Sequence, residues 1–383
     1  MDQQVNAQLE QIDQETLTPL VRRVLASETA TILDWSHQQL AGGWGGGVGG
    51  TALYRFSGRA HDRSTTVPWT LILKVLQARA DEPPSDSHYW KREAEAYQSG
   101  WFDHLPGGLR APRCLGVTDQ SDQASWIWLE EVVDAIGPHW PLERYGLAAR
   151  HLGQFNGTYL DAVPSWPWLS TAFIRTDLDH AAPGIARLAT SLAHPFVRRM
   201  LPGASSDKVL QLWQTREILL TRLERLPHTV CHFDAFRGNL FAQHGSGGRE
   251  QTVAIDWAFV GSGPVGAEIV ALVWVTLLFM AVEATKARDL DTLVFEGYLD
   301  GLRDAGWHGA PEQIRLAYTA ATALRRVSSL GHFALLAIDE HQDPAVVPSL
   351  APEHLAFFDN LAEIGDFVEH LTEEAHVLLD TLP

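Results

Sequence analysis

A chain of 383 residues has room for two or three domains, or for the two lobes of one enzyme. With 29 Lys and Arg against 47 Asp and Glu, the net charge of −18 argues against nucleic acid as a partner, because a phosphate backbone is held by cations. It reads as a soluble acidic surface that accommodates a cationic substrate without requiring one. Two distant cysteines, Cys114 and Cys231, can build neither a disulfide framework nor a cysteine zinc site.

The first residues, MDQQVNAQLEQIDQETL, are polar and acidic, unlike a secretion signal. Residues 5–40 carry Leu, Ile and Val at spacings of three and four, which predicts helix. The glycine-rich stretch AGGWGGGVGG follows at 41–50. TALYRFSG, 51–58, predicts a strand, and WTLILKVL, 69–76, a buried one. After the loop DEPPSDS, residues 88–102 predict a helix with Trp90, Ala94, Tyr97 and Trp101 on one face. RAPRCLGVTD and ASWIWLEEV predict two further strands. From LERYGLAARHLGQFNGTYL, 142–160, onward the pattern is helical, apart from VCHFDAFRGNLFAQ, 230–243, and TVAIDW, 252–257. The expected organisation is an N-terminal helical segment 1–40, a sheet-bearing lobe 41–132 and a helical lobe 133–383. The run VGAEIVALVWVTLLFMAV, 265–282, approaches membrane-spanning length, but Glu268 lies inside it and Glu283 and Lys286 follow. It is expected as a buried core helix in a cytoplasmic protein that does not contact membranes.

Gly45, Gly47 and Gly50 fit G-x-G-x-x-G. A dinucleotide fold puts that motif between a strand and a helix, whereas these glycines run into the strand TALYRF. The remaining readings are a ligand-free hairpin or one whose N–H groups, at Gly45, Gly46, Gly47 and Gly49, cover phosphates. Lys74, in the middle of a buried strand, is costly unless paired or ligand-bound. On the predicted helix 88–102, Glu93 lies at the edge of the apolar face and Glu95 points to solvent. A Glu93–Lys74 pair would hold the ammonium against α- and β-phosphates. The alternative is that Lys74 snorkels out at a sheet edge.

HFDAFRGN places His232, Asp234 and Asn239 in the pattern H-x-D-x-x-x-x-N, and Asp256 follows seventeen residues after Asn239. Phosphoryl transfer asks mainly for positioning and charge stabilisation. Asp234 suits the carboxylate that orients the attacking hydroxyl and accepts its proton. Asn239 and Asp256 offer the hard oxygens that Mg²⁺ prefers. His232 suits a structural hydrogen bond, and Arg237 a brace for the loop. A rival set of transition-metal ligands, Cys231, His232 and Asp234, lacks the H-x-H or H-E-x-x-H context of hydrolytic metal sites.

The order glycine loop, LILKVL, KREAEAY, WIWLEEV, HFDAFRGN, AIDWAFVGSGP resembles the aminoglycoside phosphotransferase and choline kinase-like family, which shares the protein-kinase fold. The resemblance covers about residues 40 to 270. It implies an α+β, bilobal fold with a small antiparallel sheet and one helix in the N-lobe and a mainly helical C-lobe. It implies Asp234 as catalytic base, Asn239 and Asp256 as Mg²⁺ ligands, and Lys74, paired with Glu93, on the α- and β-phosphates. Backbone groups of Glu130 to Val132 would hold the adenine. Family members commonly carry an aspartate opening the helix after GP, and Glu268 stands near that place. The triplet Asp256-Trp257-Ala258 and the absence of A-P-E favour small-molecule kinases over protein kinases.

The expected activity is ATP- (or GTP-) and Mg²⁺-dependent phosphorylation of a small-molecule alcohol. A cationic acceptor, such as an aminoglycoside or amino alcohol, is suggested by the family and by eleven acids with no Lys or Arg after Arg326. The competing account of those acids is an amphipathic helix over 353–380 with a solvated face. A nucleotide-binding regulatory protein without turnover and a protein kinase are the functional rivals. Nothing in the sequence bears on oligomeric state.

Overall fold

The computed structural model describes residues 2–40, 51–78, 82–160, 162–245, 247–339 and 352–382. Two helices, α1 (Asp2–Leu9) and α2 (Gln14–Leu25), precede five strands and a helix: β1 (Thr31–Leu40), β2 (Ala52–Asp62), β3 (Thr65–Gln77), α3 (Arg92–Gln98), β5 (Cys114–Ser121) and β6 (Ala124–Leu129). The two-residue strand β4 (Leu109–Arg110) lies outside this sheet. The strand order is β1-β2-β3-β6-β5, antiparallel throughout.

Period-two alternation in β3 sorts its side chains. Leu71, Leu73 and Val75 pack with Leu9, Leu17 and Val21 of α1 and α2. Ile72 and Leu76 join the core of the helical region on the other face. Lys74 falls on that second face, toward α3.

The helix expected over 5–40 stops halfway. α2 ends at Ala26, whose φ of 49° is left-handed, and Thr31–Leu40 is a strand paired with β2 from Thr31↔His61 to Leu40↔Leu53. The helical spacing there was coincidental: Ile32 is buried while its neighbour Leu33 is exposed. Edge pairing along the sheet prevails over a weak local pattern. The helix expected over 88–102 is also shorter, because Gly100 (φ 75°) ends it and a 3-10 turn, Trp101–His104, follows.

The remaining elements are α4 (Leu142–Tyr159), α5 (Phe173–Thr190), α6 (Pro195–Met200), α7 (Ser205–Leu223), β7 (His228–Cys231), β8 (Leu240–His244), β9 (Glu250–Ala254) and β10 (Gly261–Pro264). A π-helical turn, Ala271–Val275, leads into α8 (Thr276–Leu278), and α9 (Ala287–Asp304), α10 (Pro311–Asp339), α11 (Pro352–Glu363) and α12 (Gly365–Thr381) complete the chain. α4 packs on α9 and α5 on α10. The apolar run is buried, with Ile269, Leu272, Val273 and Trp274 in the core. Among the described residues, no helix is long and apolar enough to cross a membrane.

The acidic C-terminal stretch forms two helices rather than one. Its carboxylates clasp neighbouring elements: Asp359 bonds Arg199 at 2.6 Å, Glu369 bonds Lys208 at 2.6 Å, and Glu374 bonds Arg315 at 2.7 Å. These three acids serve packing.

Candidate active site

Two short β-pairs build the centre of the cleft. β7 pairs with β10, Cys231 opposite Gly261, and delivers the chain into His232–Asn239. β8 and β9 form a hairpin with Leu240 opposite Ala254, and the Ile255 N–H donates to Asn239 O at 2.9 Å. The hairpin therefore sets Asn239 beside Asp256, although seventeen residues separate them in sequence.

Lys74 and Glu93 form a buried ion pair, and Lys74 Nζ also reaches Asp256 Oδ1 at 2.7 Å. Glu93 accepts the Trp257 N–H at 3.2 Å through its other oxygen. Burial opposes the Lys74 charge, but the Asp256 and Glu93 carboxylates outweigh it and hold the ammonium protonated well above its ordinary range. Glu93 is pushed up by burial and pulled back by Lys74, with a net upward direction.

Asn239 donates its side-chain N–H to Asp234 Oδ2 at 2.9 Å and to Asp234 O at 3.0 Å. Its amide oxygen is thereby turned away from Asp234. Burial pushes the Asp234 carboxyl up to about 7, with Arg325 opposing and Asp256 adding to the rise. His232 does not face the cleft. Its Nε2 bonds Ile255 O at 3.0 Å, its Nδ1 accepts the Asp234 N–H at 3.2 Å, and burial pushes the imidazole down to about 4, so it is neutral. Arg237 braces the loop through Leu240 O at 2.8 Å and Gly137 O at 2.6 Å.

Phe233 and Asp256 both adopt left-handed backbone, with φ of 64° and 61°. A phenylalanine there is strained. The fold accommodates it by stacking its ring on Phe173, centroids 4.2 Å apart, and by placing Gly263 beneath it.

The Glu130 N–H donates to Arg113 O at 3.1 Å, and the Glu130 carboxylate binds Arg110. Among the described residues, the Glu130 carbonyl and the Val132 N–H carry no hydrogen bond. Gly45, Gly46, Gly47 and Gly49 lie outside the described residues.

Two participants, Arg325 and Arg92, carry no expectation from the sequence, and a third, Glu268, has a role there that differs from its motif. Arg325 of α10 bonds Asp177 of α5 at 3.0 Å and stands 4.0 Å from Asp234 Oδ1. Arg325 and Asp177 line a pocket with Phe173, Ile174, Leu178 and Phe233. The signal was a pair of arginines inside the otherwise apolar helix LAYTAATALRRVSSL. Arg92, fully buried, spends its guanidinium on carbonyl oxygens, Trp168 O at 3.1 Å and Ala258 O at 2.8 Å among them. Glu268, noted from the sequence only for its place after GP, accepts the His232 N–H at 2.7 Å and holds the Asp234 loop from below.

The sequence profile of the phosphotransferase enzyme family matches residues 63–310. No curated protein matches the chain. Among solved structures, an amicoumacin kinase in complex with AMP-PNP, Ca²⁺ and Ami is similar with a TM-score of 0.53 at 13% identity, over 100% of this chain and 97% of that one. A spectinomycin phosphotransferase, APH(9)-Ia, in complex with ADP and spectinomycin gives 0.50 at 13% identity, over 93% and 98%. At such identities the likeness is one of fold, the bilobal kinase-like α+β architecture.

Proposed function

As a member of the phosphotransferase enzyme family the chain is a small-molecule kinase, and we propose that it moves the γ-phosphoryl group of ATP or GTP to a hydroxyl of its acceptor through Asp234. The observation that carries this reading is the convergence of Lys74, Asp234, Asn239 and Asp256 in one cleft. Asp234 orients the acceptor hydroxyl and takes its proton as the new P–O bond forms and the bond to the departing nucleoside diphosphate breaks. A carboxyl raised toward neutrality is a better base than an ordinary aspartate, provided it is ionised when the acceptor arrives. Lys74, fixed by Glu93, binds the α- and β-phosphates. Gly45, Gly46, Gly47 and Gly49 cover the phosphates, and the backbone of Glu130 to Val132 holds the base.

The donor set suits Mg²⁺. Asn239 commits its N–H to Asp234 and keeps an amide oxygen, and Asp256 meets Lys74 through Oδ1 and keeps Oδ2. When bound there, the ion supplies neutralisation of charge on the phosphate oxygens. The acceptor lies against Phe173, Ile174 and Leu178 beside the Asp177–Arg325 pair. An aminoglycoside or amino alcohol would meet a largely apolar wall and an anion already paired with Arg325 there, so the acceptor screen extends from these to uncharged ring-bearing alcohols.

The test pairs turnover with calorimetry. Asp234→Asn should lower kcat by at least ~10²–10⁴-fold while Mg²⁺–nucleotide binding persists. Asp256→Ala should lose the Mg²⁺ dependence of that binding. Near-wild-type turnover by Asp234→Asn would remove the proposed base.

A further inference from the structure

One cluster of ligand-type side chains takes no part in phosphoryl transfer. The loop between β3 and α3 brings Asp86 and His88 against His180 of α5. His180 Nε2 lies 2.8 Å from Asp86 Oδ1. The His88 and His180 rings stack with centroids 3.8 Å apart and planes 21° apart. One ligand atom from each of the three side chains falls within 4.8 Å of the other two. His332 of α10 stands close by, its ring 6.4 Å from that of His88.

The loop is fixed from beneath. Arg92 donates to Ser87 O at 3.1 Å, to Pro84 O at 2.9 Å and to Asp86 O. The Ser170 hydroxyl donates to Ser85 O at 3.0 Å, and the Ser87 N–H donates to Thr176 Oγ1 at 3.0 Å. The His88 N–H is held by Asp86 Oδ1 at 2.7 Å. Each of the three ligand-type residues is partly exposed, so an ion can enter from solvent. Among the described residues, neither ring nitrogen of His88 has a hydrogen-bond partner.

We propose that Asp86, His88 and His180 form a site for a divalent transition metal, Zn²⁺ foremost, that clasps the loop before α3 to α5. Two imidazoles and a carboxylate form a donor set suited to zinc, with water or His332 completing four-coordination. Mg²⁺, which prefers oxygen ligands, is a poor fit, so this site is separate from the nucleotide's metal. Zinc bonds of about 2.0–2.1 Å need ligand atoms about 3.3 Å apart in a tetrahedron. The Asp86–His180 pair therefore opens by about half an ångström, one of the two stacked rings turns so that both in-plane lone pairs meet at the ion, and the His180 proton shifts to Nδ1 as the ion takes its place.

The experiment uses the full-length, tag-free protein stripped by chelator, titrated with Zn²⁺ in excess Mg²⁺ by calorimetry. The variants are His88→Ala, His180→Ala and, as a control for the nucleotide's metal site, Asp256→Ala. One equivalent per chain is expected, weakened at least tenfold by either histidine change and unaltered by Asp256→Ala. X-ray absorption of the zinc-loaded wild type gives a readout that needs no variant, and should show scattering from two imidazoles. An all-oxygen shell, or zinc binding lost with Asp256→Ala but kept in both histidine variants, would overturn the proposal.

Discussion

Replacing Lys74 by methionine keeps the length and apolar character of the side chain and removes only its charge. Glu93, 1% exposed, would keep the Trp257 N–H on one oxygen and lose its cation on the other. Removing one partner of a buried pair costs about 3–5 kcal/mol. Glu93 can relieve part of this by taking up a proton, because burial already favours its neutral form. Asp256, whose side chain is 43% exposed, is rehydrated cheaply. The expected loss is therefore at the lower end, about 3 kcal/mol. Adding Glu93→Gln removes the stranded charge and should return about 2 kcal/mol of it. Urea unfolding followed by tryptophan fluorescence measures both variants. Nucleotide binding should stay lost in the double variant, since the ammonium is still missing. A Lys74→Met loss under about 1 kcal/mol, or a double variant no more stable than the single, would refute the claim that Glu93 is a buried charge held by Lys74.

Burial raises the Glu268 carboxyl from its ordinary 4.5 to about 7. An acid that holds its proton more tightly when folded stabilises fully below its unfolded pKa, and that contribution fades as pH rises through the folded one. Stability should thus fall by up to about 3 kcal/mol between pH 4.5 and 7 from this group, a slope that Glu268→Gln should flatten in unfolding measured across that window. Gly263→Ala would put a Cβ 2.3 Å from the Phe233 ring, next to Asp234. It should cost about 1–3 kcal/mol and lower kcat; unchanged thermal unfolding and turnover would show that the ring can turn aside.

The legible part of this protein was the part written in local chemistry. A lysine inside LILKVL, a glutamate at the edge of an apolar helical face and the spacing of HFDAFRGN with IDW each carry a physical oddity that needs a reason. The structure brings Lys74, Glu93 and Asp256 together, and Asp234 with Asn239. Thr31–Leu40 was misread because an edge strand with few buried residues shows little alternation, and its pairing to β2 is a long-range fact. Arg325 was missed because its partners, Asp177 and Asp234, lie on elements distant in sequence. Acidity after Arg326 invited a cation pocket, but charge composition does not reveal that Asp359, Glu369 and Glu374 already have partners.

The adjacent residues Arg92 and Glu93 face different bodies. Arg92 is anchored to backbone of the helical region at Trp168 and Ala258, while Glu93 grips Lys74 of the sheet. Helix α3 precedes β5 and β6 in the chain, yet the Arg92 guanidinium fastens it to the far side of the cleft as well. At its N-terminal end Lys91 bonds Asp119 of β5 at 2.9 Å, so α3 is tied to the sheet and to the helical region at once. Through the Lys74–Glu93 pair the position of the phosphate-binding lysine is therefore set by a helix that both sides of the cleft hold.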